Sequence, residues 1–137
     1  MTFIESIRTC MSEKYFSIEG RASRSEFWWF YLAMTLGTIV CVSVLTALVT
    51  AMTISNEHTM VYVMIILLFA LALLALVVPS ITASVRRLHD TGRSGWWYLI
   101  NFVPYIGGIV LIVFLALPSD PNENEYGAPE EQQPTVL

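Results

Sequence analysis

A chain of 137 residues has room for one domain, and this one is 55% hydrophobic and only 13% charged, against about 25% charged in an ordinary soluble domain. A soluble fold of this size keeps too much surface in water to hide so much apolar material, so the composition excludes a water-dissolved globule and points to lipid as the solvent. The net charge of −4 matters less than its distribution: acids gather in the C-terminal tail, bases in two stretches that precede apolar runs, and no nucleic-acid partner is expected.

Residues 1–22 lie ahead of the membrane domain. Ile4, Ile7, Met11, Tyr15 and Ile18 recur at spacings of three and four, opposite Glu5, Arg8, Ser12 and Glu19. That pattern predicts an amphipathic helix over 1–19, lying on the membrane surface or packing on its own protein. Thr2 with Glu5 fits a capping box and Gly20 a stop. Glu5, Arg8, Glu13 and Lys14 interrupt the region where a secretory signal peptide would carry its apolar core. Cys10 and Cys41 build no disulfide framework and are read as two small free thiols.

The membrane domain is expected over 23–117, as an all-α integral membrane bundle of three hydrophobic segments. Ser23-Arg24-Ser25-Glu26 is a second capping box, and no ionisable acid or base interrupts 27–55. As helix that run is roughly 43 Å long, beyond the hydrocarbon core of about 30 Å, so it must tilt or protrude. Trp28 and Trp29 open it as an interfacial aromatic belt. Asn56, Glu57 and His58 read as a minimal turn into a second run, 59–85. There Pro79 should kink the helix and free one carbonyl, to be satisfied by Ser80 or a neighbouring helix. The charged loop from Arg86 to Gly95 leads to a third run, 96–117, opened by Trp96 and Trp97 and broken by Pro104, Gly107 and Gly108. Residues 118–137 form an acidic, proline-rich tail whose end is expected to be disordered.

Lys and Arg mark the cytoplasmic side. Arg8, Lys14, Arg21 and Arg24 precede the first run, Arg86, Arg87 and Arg93 sit between the second and third, and the other two connecting segments carry none. Three full spans would then put the N-terminus in the cytoplasm and the C-terminus in the periplasm. The alternative is that Pro104 through Gly108 divides the third run into a re-entrant hairpin, which would return the tail to the cytoplasm.

Two basic motifs are distinctive together: Gly20-Arg21-x-Ser23-Arg24-x-Glu26-Phe27-Trp28-x-Phe30, and Arg86-Arg87-Leu88-His89-Asp90-x-Gly92-Arg93-Ser94-x-Trp96-Trp97. With Pro121, Glu123, Asn124, Tyr126 and Gly127 in the tail, they resemble the family of small bacterial inner-membrane proteins catalogued as domain of unknown function 805, over about residues 14 to 127. The resemblance implies a multi-pass protein of the bacterial inner membrane and implies no known activity. Ser119 and Asn122 stand where family glycines are common, and Glu125 where a basic residue is common.

The candidate site is one interfacial cluster: Arg21, Arg24, Glu26, Arg86, Arg87, His89, Asp90 and Arg93. Positive-inside anchoring explains much of it. Acids among arginines can also lock helix ends together, and an arginine left over suits an anionic lipid headgroup. Small residues at Ser43, Ala47 and Ala51, and at Ser80 and Ser84, suit close helix packing within a chain or between copies. No cofactor and no metal are expected. The function expected is a non-enzymatic membrane adaptor or scaffold that binds anionic lipid or partner proteins, with a homo-oligomer as one possible assembly. The alternatives are a subunit of an oligomeric channel or transporter, and a lipid-active enzyme using His89 and Asp90.

Overall fold

The computed structural model describes residues 1–55 and 59–129. The turn expected at Asn56, Glu57 and His58, and the disorder expected at the end of the tail, lie outside the described residues. Within them the chain is helical, with one isolated bridge between Asn124 and Gly127 in place of any strand.

The N-terminal helix is shorter than its periodicity predicts. Helix α1 spans Phe3–Arg8 and widens into a π-helical turn over Thr9–Glu13, so that residues 14–23 run outside helix. The Thr2–Glu5 capping box forms in both directions. The side turned into the protein is the small polar one, with Ser6, Thr9 and Cys10 buried, while Ile4, Met11, Phe16 and Ile18 face outward. A continuous surface helix to residue 19 is therefore not what forms. The segment bends at Lys14 so that Tyr15 can reach the third helix.

Helix α2 (Arg24–Ser55) and helix α3 (Thr59–Asp90) are each 32 residues long, about 48 Å at 1.5 Å per residue. They pack side by side, and near the far end the Tyr62 hydroxyl donates to the Val49 carbonyl at 2.6 Å. The Ser23 hydroxyl accepts from the Glu26 amide at 3.2 Å and so caps α2 as expected. The most apolar stretches of both long helices hold no residue buried by the rest of the chain. Two long apolar helices and a shorter one fit a membrane helical bundle.

Pro79 sits inside α3 and can give no amide to the carbonyl of Ala75, four residues earlier. The Tyr15 hydroxyl donates to that carbonyl instead, and the Thr82 hydroxyl donates back to the Tyr15 carbonyl at 3.2 Å. Ser80, one of the groups expected to satisfy the freed carbonyl, donates to Val77. Helix α3 stops at Asp90, where Gly92 takes a φ of +71° and the Arg93 amide closes back onto the Leu88 carbonyl at 3.0 Å.

The third apolar run does not cross from one end of the bundle to the other, as a full span would. A 3-10 helix (Gly95–Phe102) leads in, and helix α4 (Gly107–Ala116) leads back. The limbs are roughly 16 and 15 Å long, each about half a bilayer core. Pro104 lacks a donor, Tyr105 takes a left-handed φ of 66°, and Gly107 then passes so near the first limb that a Cβ there would lie 1.8 Å from the Ile100 carbonyl oxygen. Only glycine fits. Both ends of the hairpin meet the same end of α3, since Gly95 follows its terminal turn and the Leu115 carbonyl accepts from Arg87. The tail therefore lies beside the N-terminal segment, a correction to the three-span path.

Candidate functional site

The end of the bundle where α2 begins and α3 ends has an inverted core. Its largest fully buried side chains include Arg21, Arg86, Arg87, Glu26 and Asp90, among Phe27, Leu88 and Cys10. Buried charge on this scale is costly unless the ions are paired and most of their hydrogen-bond capacity is used.

Asp90 is the centre. Its Oδ1 accepts from Arg21 Nε at 2.9 Å, and its Oδ2 accepts from Arg87 and from the Ser119 hydroxyl. Arg21 spends its other donors on the carbonyls of Asp90, Asp120, Asn122 and Gly127. Arg87 donates from Nε to the Leu115 carbonyl at 2.9 Å, and from its Nη atoms to the carbonyls of Ala22 and Leu117 and the Ser119 hydroxyl. The guanidinium fork offers five N–H groups, and Arg21 makes a hydrogen bond with each. These arginines act as staples: both hold the Asp90 carboxylate, while Arg21 spends its other donors mainly on carbonyls of the tail and Arg87 spends its own on the end of α4, Ala22 and Ser119.

A second pair lies alongside. Arg86 Nη1 donates to Glu26 Oε1 at 2.6 Å, both side chains fully buried. Cys10 closes the group, its Sγ 3.4 Å from Arg86 Nη2 and 3.5 Å from Glu26 Oε1. Burial first, and the Glu26 carboxylate second, push the Cys10 thiol up to about 12, so it stays protonated and a poor nucleophile. Helix α2 thus brings Glu26, helix α3 brings Arg86, Arg87 and Asp90, and the loop before α2 brings Arg21.

His89 is buried, its ring stacked on Tyr126 at 3.8 Å between centroids with 2° between planes, and its Nδ1 stands 3.4 Å from the Gly20 carbonyl. The Asn124 carboxamide donates to the His89 carbonyl at 3.0 Å. Among the described residues Asp90 does not pair with this imidazole, because its oxygens are held by Arg21, Arg87 and Ser119. The acid–base pair weighed for an enzyme is not assembled, and no group of three or more His, Cys, Asp or Glu side chains is placed to hold a metal among the described residues.

Two expected members stand apart. Arg24 is exposed at the start of α2, and Arg93 lies over the Phe114 ring at 4.6 Å. The aromatic belt faces outward, with Trp28, Trp29, Trp96 and Trp97 exposed, while Phe27 and Phe30 turn into the core. Ser43, Ala47 and Ala51 are exposed on α2, away from the intrachain core, whereas Ser84 is buried and Ser80 half-buried. Sequence reasoning did not assign Ser119, Cys10 or Tyr15 to the site.

A family model described as "Protein of unknown function (DUF805)" matches residues 15–128, the stretch that holds the stapling arginines, both long helices, the hairpin and the tail turn. The chain belongs to the DUF805 family. Similar proteins include "Inner membrane protein YhaH" of Escherichia coli (strain K12), 32% identical over 122 residues that cover 89% of this chain and 93% of the relative. Another is "Inner membrane protein YhaI" of the same strain, 36% identical over 115 residues that cover 84% and 86% of the two chains. No solved structure gives a significant match. Inner-membrane relatives and apolar helices with outward-facing side chains agree: this DUF805 member is a membrane protein.

Proposed function

We propose that this chain is a non-enzymatic adaptor of the bacterial inner membrane, with both terminal segments on the cytoplasmic side and a partner protein docking on the surface they form together. One observation carries the reading: buried Arg21, Arg87 and Asp90 fasten the tail and the N-terminal segment to the end of α3. A device that consumes its own charges in this way sets the shape of a surface and performs no chemistry. The Lys and Arg bias supplies the sidedness, and the hairpin then brings the tail to the same face.

The geometry favours a protein partner over lipid phosphate at this cluster, because the carbonyls of Asp120, Asn122 and Gly127 occupy the Arg21 donors a phosphate would need. What the assembled surface offers outward is Glu19, Arg24, Glu123 and Glu125, all exposed. A photo-crosslinking amino acid at Glu19 or Glu123 should give a discrete protein adduct in native membranes, lost when Asp90→Ala loosens the tail. Lipid adducts alone, or an adduct unaffected by Asp90→Ala, would overturn the proposal.

A second reading, a subunit of an oligomeric channel, draws on the outward-facing stripe of Ser43, Ala47 and Ala51, which suits close approach of another helix. Ion flux through liposomes that carry the purified chain would favour it over the adaptor.

A further inference from the structure

Below the charged cluster, at the depth of the apolar helices, the hairpin stands off from α2 and α3 and leaves a cavity of about 300 Å³. Phe30 and Met34 of α2, Ser80 and Ser84 of α3, and Asn101 and Leu111 of the two hairpin limbs are among its lining. It runs from the level of Phe27 to that of Met34, roughly 10 Å along the helix, and Trp28, Tyr31 and Ile112 at its edge are exposed on the lipid-facing surface.

We propose that this cavity receives one acyl chain of a membrane phospholipid, with an ester carbonyl accepting from Asn101 or Tyr98. The volume lies at the lower limit of small-molecule sites, about 300–1,000 Å³, room for part of one acyl chain and not for two side by side. The wall is mostly apolar, and its serines add little polarity because their hydroxyls are spent on Val77 and Ser80 carbonyls of their own helix at 2.8 and 2.7 Å. Asn101 differs. The residue is exposed on the outer surface of the chain, its carboxamide oxygen lies beside Gly108, and among the described residues the carboxamide makes no hydrogen bond to the protein. A polar group that faces lipid and not water is costly unless something satisfies it. Phospholipid esters carry acceptors without donors, a match for the amide hydrogens of Asn101 and for the hydroxyl of Tyr98, a residue that also lines the space. Trp96 and Trp97, just before Tyr98, belong to the interfacial belt, the depth at which lipid esters sit.

The test uses the full chain in vesicles of phosphatidylethanolamine and phosphatidylglycerol that carry a trace of phospholipid with a diazirine in one acyl chain. Photo-adducts mapped by mass spectrometry should concentrate on Met34, Asn101 and Leu111 over Leu67 and Leu68, which face bulk lipid. Asn101→Leu should weaken retention of the phospholipid through detergent purification about tenfold, the factor for one lost hydrogen bond. Ser80→Phe, which fills the space from the α3 side and leaves the Asn101 side chain in place, should remove the adducts from Met34 and Leu111. Adducts spread evenly over the outer helix faces, or retention unchanged in both variants, would overturn the proposal. The proposal rests on the membrane location and not on the adaptor reading, so loss of either leaves the other standing.

Discussion

Arg21 and Asp90, 69 positions apart in the chain, meet at 2.9 Å in a setting where neither side chain touches solvent to any useful degree. The contact joins the segment before the first membrane helix to the last residue of the second. Because Arg87 holds the other carboxylate oxygen, one acid is shared by two buried guanidinium groups, whose remaining donors go to carbonyls of the backbone.

Removing that acid should be far more damaging than its surface area suggests. Asp90→Ala leaves Arg21 and Arg87 buried without a counter-charge, a loss of about 3–5 kcal/mol. Arg24→Ala, at an exposed position, should stay within about 0.5 kcal/mol. Thermal unfolding in detergent micelles, with protease cleavage of the tail as a second readout, compares the two. Equal stability in both variants would contradict the stapling account.

The Glu26–Arg86 pair makes a different prediction. Both side chains are fully buried, so Glu26→Leu alone strands a charge and should cost about 3–5 kcal/mol, whereas Glu26→Leu with Arg86→Met replaces the pair by apolar volume and should recover most of it. The denaturation midpoints of the single and double variants decide the matter. A double variant as weak as the single one would mean that the pair's contact with Cys10, and not charge balance, holds this region.

How much of this was legible beforehand follows from what each residue type announces. Arginine and acid at the ends of apolar runs stand out in any sequence, so Arg21, Glu26, Arg86, Arg87, His89 and Asp90 could be singled out as a group, and both long helices and the Thr2 and Ser23 caps could be read directly. Their pairing was not, because the acceptors of Arg21 and Arg87 are chiefly peptide carbonyls of residues 115–127, and every residue carries one. Hydropathy is equally blind to direction: a run with a proline in its middle reads the same whether it crosses or returns. Tyr105 in a left-handed conformation, and Gly107 against Ile100, decide the return through contacts rather than composition. The N-terminal periodicity failed at Lys14 for a related reason. Tyr15 is drawn out of helix by the carbonyl that Pro79 leaves over.

That last contact can be isolated by a double-mutant cycle. Tyr15→Phe should cost about 1 kcal/mol, the ordinary net worth of a hydrogen bond, because the Ala75 carbonyl loses its donor. Pro79→Ala restores a backbone amide four residues after Ala75, so in that background Tyr15→Phe should cost close to nothing. Unfolding free energies of the four proteins give the coupling. Additive effects would show that Tyr15 contributes through ring packing and not through the freed carbonyl.

The return of the hairpin is the relationship most open to direct test, since it fixes where the tail lies. The Gly107 Cα hydrogen faces the Ile100 carbonyl with no room for a methyl group, so Gly107→Ala must push the limbs apart. It should lower stability by several kcal/mol, more than Gly108→Ala, where the nearest atom to an added Cβ is Asn101 Oδ1 at 3.5 Å. Gly108→Ala should instead be neutral or slightly stabilising, as helix interiors favour alanine by about 1 kcal/mol. Reporter fusions at Leu137 supply the topological half: with the limbs paired, a C-terminal fluorescent protein should glow in the cytoplasm and an alkaline phosphatase fusion should be inactive. An active phosphatase fusion on the parent chain would mean that residues 96–117 cross the membrane after all. The staples from Arg21 and Arg87 to the tail could not then form, because they require both ends of that segment at the same end of α3.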